Sequence, residues 1–306
     1  MMHDPEQSEP LIVAMKSSNK AEGAAAEAME GSVAIRRSSQ FPCLFLQAKR
    51  PVLAISVVLL QRGYFATRNE RTVMNSVRSV IQRKRFPLDI MLLCVRWYVA
   101  YPLSLRNLEE MMQERGLFVD HSTIHRWIIK LVPVLEKAFR ERKRKRGIGA
   151  VGKSWRLDET YIKIGGEDRY WYRAVDKQGN TVDFLLTAKR DRRAARRFFT
   201  RAVKNNRIPK IVNIDKSGAN KAGIRDYNAK HGTKVVIRQC KYLNNIVEQD
   251  HRAVKRITRP IQGFKDFRCA GIILSGVELM HMIRKGQMHD DGRGLSAAQQ
   301  FYLLAA

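Results

Sequence analysis

Acidic residues are scarce in this 306-residue chain, where 29 Asp and Glu stand against 57 Lys and Arg for a formal charge of +28. Solubility needs far less, and the excess points to a polyanionic partner. The basic residues are spread along the chain rather than gathered beside an apolar anchor, which favours nucleic acid over a membrane surface. Cysteine is nearly lacking as well. Cys43, Cys94, Cys240 and Cys269 lie far apart with no Cys-x-x-Cys pair, so neither a zinc site nor a disulfide framework is signalled and a reducing compartment fits. Long hydrophobic runs are also missing. The longest, Val52 to Leu60, is too short to span a bilayer and lies too deep in the chain to be a secretory signal. The chain is expected to be soluble and cytoplasmic, with no membrane partner.

What is present divides into blocks. Residues 1–85 hold Ala-, Glu- and Ser-rich sequence, the short apolar run and the basic stretch RNERTVMNSVRSVIQRKR; they read as a poorly ordered extension without an assignable role. Residues 86–139 read as helices. DIMLLCVRWYVAY has helical apolar spacing and is stopped by Pro102. SLRNLEEMMQERG follows, with Ser104 as a cap and Leu105, Leu108, Met111 and Met112 as one stripe. Asp120 can cap HSTIHRWIIKLV, whose Ile124, Trp127, Ile128 and Leu131 face inward. Helix, short turn, helix is a DNA-reading arrangement. Residues 140–153, RERKRKRGIGAVGK, are charged and then glycine-punctuated, which predicts a basic linker.

Residues 154–288 open with three strands, SWRLDETYIKI, RYWYRAVD and TVDFLLTAK, separated at hairpin distances by Gly165-Gly166 and the turn from Lys177 to Asn180. RRAARRFFTRAVKNN is an amphipathic helix with Ala195, Phe198, Phe199, Ala202 and Val203 on one side and Arg193, Arg196, Arg197 and Lys204 largely on the other. KIVNID is a short strand, a brief helix is expected around Ile224 to Lys230, KVVIRQ is a strand, and NIVEQDHRAVKRITR is a helix closed by Pro260. This order predicts an α/β fold, a ribonuclease-H-like mixed sheet preceded by an all-α helix-turn-helix block. Residues 289–306 form a C-terminal tail.

In that topology Asp158 in the first strand, Asp215 at the end of the fourth and Glu248 in the first turns of the following helix converge on one sheet edge. Three carboxylates supply hard oxygen ligands for Mg2+, with Mn2+ as a substitute. Two such ions can serve an in-line displacement at phosphorus. Each acid also has an ordinary explanation. Asp158 could lie on the strand surface, Asp215 could serve a turn, and Glu248 stands three positions after Asn245 as in a capping box. Glu159 points to the opposite face from Asp158 and cannot share its site.

From about Phe86 to Met288 the chain closely resembles bacterial insertion-sequence transposases of the DDE type, in the compact group called insertion sequence family six. The resemblance is carried by RWYVAYPLSLRNLEEMMQERG, VDHSTIHRWI, LDETYIKI, YWYRAVDKQGNTVDF, IDKSGAN, RQCKYLNNIVEQDHRAVKR and the stretch from GFKDF to RKGQ. It places the catalytic triad on Asp158, Asp215 and Glu248, with 56 and 32 residues between them. The second gap is slightly short for the group, but the shortfall precedes Lys241 and KYLNNIVEQDH is intact. Lys255, seven positions after Glu248, matches the family pattern and falls on the same helix face, where it can hold a phosphate.

The resemblance implies binding to terminal inverted repeats, metal-dependent cleavage and strand transfer into target DNA, a replicative outcome with cointegrate formation, and a bacterial, nucleoid-associated enzyme acting as a homodimer or higher oligomer. Ser122, Thr123, His125 and Arg126, in the first turns of the recognition helix, are the expected base contacts. Arg193, Arg196, Arg197 and Arg252 are expected DNA contacts as well, within a chain whose residues 189–210 carry ten Lys or Arg against Asp191 alone. The alternatives are a DNA-binding regulator or inactive domesticated transposase, and a structure-selective nuclease on the same scaffold.

Overall fold

The computed structural model describes residues 85–145, 151–288 and 294–305. The extension before residue 85, residues 146–150 of the expected linker and residues 289–293 of the tail lie outside the described residues. Three helices come first: α1 (Leu88–Ala100), α2 (Leu105–Gln113) and α3 (His121–Lys145). Pro102 ends α1, because the residue before a proline is driven out of the helical region and Tyr101 is extended at φ −128°, ψ 154°. Ser104 starts α2 in a reciprocal capping box with Asn107. Asp120 starts α3, accepting the Ser122 backbone N–H at 2.7 Å and the Thr123 hydroxyl at 2.9 Å.

Helix α3 runs through Pro133 and on to Lys145, so residues 140–145 of the expected linker are helical. Burial of Leu131, Val132, Leu135, Ala138 and Phe139 carries the helix past its proline. The basic run then lies against the sheet. Arg140 pairs with Glu136 at 2.8 Å and Asp183 at 3.5 Å and stacks over Phe184, while Lys143 Nζ donates to the Thr181 carbonyl at 3.3 Å.

The sheet has strands β1 (Ser154–Ile164), β2 (Glu167–Asp176), β3 (Thr181–Thr187), β4 (Ile211–Ile214) and β5 (Val236–Gln239), in the order β3-β2-β1-β4-β5. The first three strands are antiparallel and β4 and β5 run parallel to β1. This is the ribonuclease-H-like mixed sheet predicted from the element order. Gly165 and Gly166 close the first hairpin with φ of 61° and 83°, the pair of left-handed positions that a two-residue turn demands.

Side chains alternate across β1 and define two layers. Trp155 and Leu157 pack on α4 (Arg192–Asn205) and α5 (Gly218–His231). Ile162 and Ile164 join the opposite cluster, with α6 (Asn245–Thr258), α7 (Phe267–Arg284) and the three N-terminal helices. Helix α5 is longer than expected, because Ser217 caps it and Gly232, at φ 62°, closes it. A last helix, α8 (Ala297–Leu303), buries Phe301 in the same cluster as α7.

Helix α7 was not foreseen from periodicity. It is buried nearly all round, being sandwiched between the sheet and α1 and α3, so it shows no polar face. Gly276 marks the closest approach, since a Cβ there would sit 2.7 Å from Val99 and 3.1 Å from Val132. Among the described residues no helix is long and apolar enough to cross a membrane.

Candidate active site

The register of β1 against β4 sets the first two acids side by side. Leu157 pairs with Ile214, so Asp158 and Asp215 are the next residues on adjacent parallel strands. The third acid is brought in by tethers from β1. Arg156 Nε donates to the Leu243 carbonyl at 2.9 Å and Asn244 Nδ2 to the Leu157 carbonyl at 3.5 Å. They fix the single turn Lys241–Asn244 that leads directly into α6. Glu248 therefore lies in the first turn of a helix anchored over Asp158. One turn on, His251 Nδ1 is 3.8 Å from Asp158 Oδ2.

Glu248 is not used as a cap. The preceding turn makes Asn245 already helical, at φ −53°, ψ −33°, and no side chain caps the start of α6, so the capping-box explanation fails. Asp215 does serve its turn, with Oδ1 accepting the Ser217 N–H at 2.9 Å. Its other oxygen, Oδ2, lies 3.7 Å from Arg190 Nη2. Glu159 points to the opposite face, as alternation predicts, and accepts from Asn220 Nδ2 at 2.7 Å. Yet Arg190 also pairs with Glu159 and so links it to Asp215 around the end of the sheet. Position gave no sign of Arg190, because it stands in the loop before α4.

The electrostatics are those of crowded anions. Burial, followed by the charges of Glu159, Asp215 and Glu248, pushes the Asp158 carboxyl up to about 7. His251 brings no positive charge, since burial, with Arg173 and Lys255 nearby, holds its imidazole down at about 3. Among the described residues the only ion-pairing group within reach of Asp158 is thus neutral. No three His, Cys, Asp or Glu among them are drawn together closely enough to hold a metal ion. The donor set nonetheless suits a hard divalent cation, since burial and then the charges of neighbouring acids, Asp215 and Glu248 among them, raise the Asp158 carboxyl.

Behind α6 lies a buried charge cluster that sequence reasoning missed. Arg173, the cross-strand partner of Asp158 on the same face, is fully buried; its Nη2 pairs with Glu278 at 2.8 Å and Asp250 at 3.2 Å. Asp250 also meets His281 at 3.3 Å and the Lys285 ammonium. Burial opposes ionisation of Asp250, but the His281 contact and the charges of Arg173 and Lys285 outweigh it and hold the carboxyl at about 2. The guanidinium beside Asp158 is thereby drawn toward α6 and α7.

Two basic grooves lie on the elements around the sheet. One, of about 490 Å³, lies between β1 and α6 and is lined by Tyr161, Lys163, Arg252, Lys255, Arg256 and Arg259, among others. Lys255 and Arg252 are exposed there, on the helix that carries Glu248. The other, of about 920 Å³, lies on α4 and α5, and Arg193, Arg196 and Arg197 line it. At the start of α3, Arg126 is exposed and donates to the Ser122 hydroxyl at 3.3 Å, and the Thr123 hydroxyl is held by Asp120. His125 is part-buried, and burial lowers its pKa.

A family model described as a DDE domain matches residues 152–287, the span holding all three acids. The transposase of the insertion sequence-like element IS431mec of Staphylococcus aureus is 35% identical over 207 residues, covering 66% of this chain and 87% of that protein. The transposase of the insertion sequence element IS257 in transposon Tn4003, also from Staphylococcus aureus, is equally similar, at 35% over 207 residues with the same coverage. Among solved structures, the HTLV-2 integrase catalytic core domain in complex with magnesium, in its dimeric form, is 14% identical with a TM-score of 0.36, covering 50% of this chain and 99% of that one. The catalytic core domain of BIV integrase is 15% identical with a TM-score of 0.34, covering 49% and 91%. With more than a third of the aligned residues identical across most of the length of these transposases, the chain belongs to the DDE transposases of insertion sequence family six, enzymes that cut and join DNA with the help of divalent metal.

Proposed function

We propose that this chain binds the terminal inverted repeats of an insertion sequence, cuts at the element's ends and joins the freed 3′ ends to target DNA. The observation that carries the reading is the placing of Asp158 and Asp215 side by side, with Glu248 tethered above them. Asp158, Asp215 and Glu248 are the metal ligands in this reading. Mg2+, or Mn2+ in its place, bound there as two ions, would activate the attacking oxygen and stabilise the leaving one.

The chain's own groups do the rest. Lys255 and Arg252 hold the phosphates that flank the scissile bond, from the helix that carries Glu248. Arg190 fixes the orientation of Asp215. In the first step water attacks phosphorus at the element end and the P–O3′ bond breaks, leaving a 3′ hydroxyl. In the second that hydroxyl loses its proton and bonds to a target phosphorus while the target's own 3′ oxygen leaves and takes up a proton. No covalent bond to protein is needed.

Ser122, Thr123, His125 and Arg126 at the start of α3 read the repeat, with Arg126 the most open of them. Arg193, Arg196 and Arg197 track phosphates on α4. Two ends must be held together, so the working species is a homodimer or larger, and joining without excision of the element, followed by replication across it, yields a cointegrate. The enzyme works in the cytoplasm on nucleoid DNA. The deciding experiment is to incubate purified protein with Mg2+ and duplex from the DNA flanking its coding sequence. Joined products as well as nicks are expected. Nicks alone would make the protein a nuclease, and binding without either would make it a regulator.

A further inference from the structure

A strand-transfer enzyme must bring two DNA molecules to one set of acids, and the fold offers two separate basic surfaces for them. The groove on α6, with Lys255, Arg256 and Arg259, lies on the sheet face that also carries the N-terminal helices, since α3 packs on α7 and α7 on α6. The larger groove, on α4 and α5, lies on the opposite face. Its exposed cations include Arg193, Arg196, Arg197, Lys204 and Lys230. Among the described residues none of these five takes part in an ion pair, whereas the neighbouring Arg192 is engaged by Asp226 and Arg201 by Asp183.

This groove is joined by the chain to a residue that touches two acids, one of them Asp215. Its lining runs back along the chain through Lys189, next in sequence to the Arg190 that spans Glu159 and Asp215. Helix α4 turns only its cationic face outward, because Ala195, Phe198, Phe199 and Ala202 are buried against the sheet. Apart from Asp191, which caps that helix, the lining holds no acid. Unpaired cations on a rigid face suit contact with phosphates, which carry no sequence information.

Resting on the transposase reading above, we propose that the α4–α5 groove is the target-DNA site and binds duplex of any sequence, while the reading helix and α6 hold the element end on the other face. The two duplexes then approach the acids from opposite sides of the sheet. The target's scissile phosphate arrives past Arg190 and Asp215, and the element's 3′ end arrives along α6.

The test uses the full chain with two labelled duplexes, one from the DNA flanking the coding sequence and one of random sequence. Bound first to one equivalent of flanking duplex, wild-type protein is expected to capture the random duplex as well, with steep salt dependence. Lys204→Glu combined with Lys230→Glu should weaken capture of the random duplex at least tenfold and leave binding of the flanking duplex within twofold. Arg256→Glu combined with Arg259→Glu should do the reverse. In Mg2+ the first pair of substitutions should keep nicking of the flanking duplex and lose joining, with partial recovery at higher target concentration. Equal loss of both duplexes, or unchanged capture of the random one, would overturn the assignment. Failure of wild-type protein to join DNA while it still captures both duplexes would instead sink the strand-transfer reading and leave the groove as a duplex site.

Discussion

At the scale of single residues, the site is a problem in anion crowding. Burial and neighbouring acids push the Asp158 carboxyl up to about 7, and a bound cation would need all three acids charged and close. Asp158→Asn, Asp215→Asn and Glu248→Gln should therefore each abolish joining while end binding persists, and a chelator should do the same to the unaltered protein. Gel assays of joined product alongside binding isotherms check this; substantial joining by any one variant would remove that residue from the site. Groups that act through a ligand should matter less. Arg190→Met or Glu159→Gln is expected to lower joining by about 10- to 100-fold and to raise the metal concentration required, so a metal titration separates orientation of Asp215 from simple loss of stability.

At the scale of elements, two helices rest on polar devices that can be broken separately. Asp120 caps α3, and its carboxyl is held at about 2, chiefly by its hydrogen bonds to Ser122 and Thr123. A depressed carboxylate pKa stabilises the fold above its unfolded value of about 4, and that contribution disappears as the pH falls through about 2. Asp120→Ala should thus lower the thermal midpoint at pH 7, and the gap between variant and parent should shrink on acidification toward pH 2. A gap independent of pH would assign the loss to something other than the charged cap. Helix α6 depends instead on the buried Arg173 cluster. Arg173→Met strands Glu278 in the core and should cost about 3–5 kcal/mol, measured by denaturant unfolding. Adding Glu278→Leu should recover part of that loss, because no uncompensated acid then remains against the apolar wall. A double variant less stable than the single one would show that the cluster holds α6 in some other way.

At the scale of the whole molecule, the sheet separates two basic surfaces, and a chain that begins at Arg83 should retain both. Regular patterning starts near Phe86, and the motifs shared with the family all lie beyond it. The shortened protein is expected to fold, bind ends and join DNA at least as well as the full chain. Thermal unfolding, end affinity and joining, measured on both, decide the matter; aggregation or lost end binding would make the extension a working part.

The sequence alone determined much of this. Alternation along SWRLDETYIKI was enough to place Asp158 and Glu159 on opposite faces, because side-chain direction in a strand is a local property with period two. The apolar stripes of α2 and α4 and the stop at Pro102 were legible because they too are local. What it could not show was whatever depends on partners remote in the chain. The run RERKRK reads locally as a linker, yet the pairing of Arg140 with Asp183 and the contact of Lys143 with Thr181 hold it in the helix that packs on α7. Helix α7 hid its period because two layers cover it. Arg173, Asp250 and Glu278 looked like ordinary charges until the fold buried them together, since 77 positions separate the first two and 105 the first and last. Arg190 became a bridge only when β1 and β4 lay side by side. Local pattern specified which residues face which way; only tertiary contact decided which charges share a low-dielectric space, and that sharing shapes both the site and the stability of the helix above it.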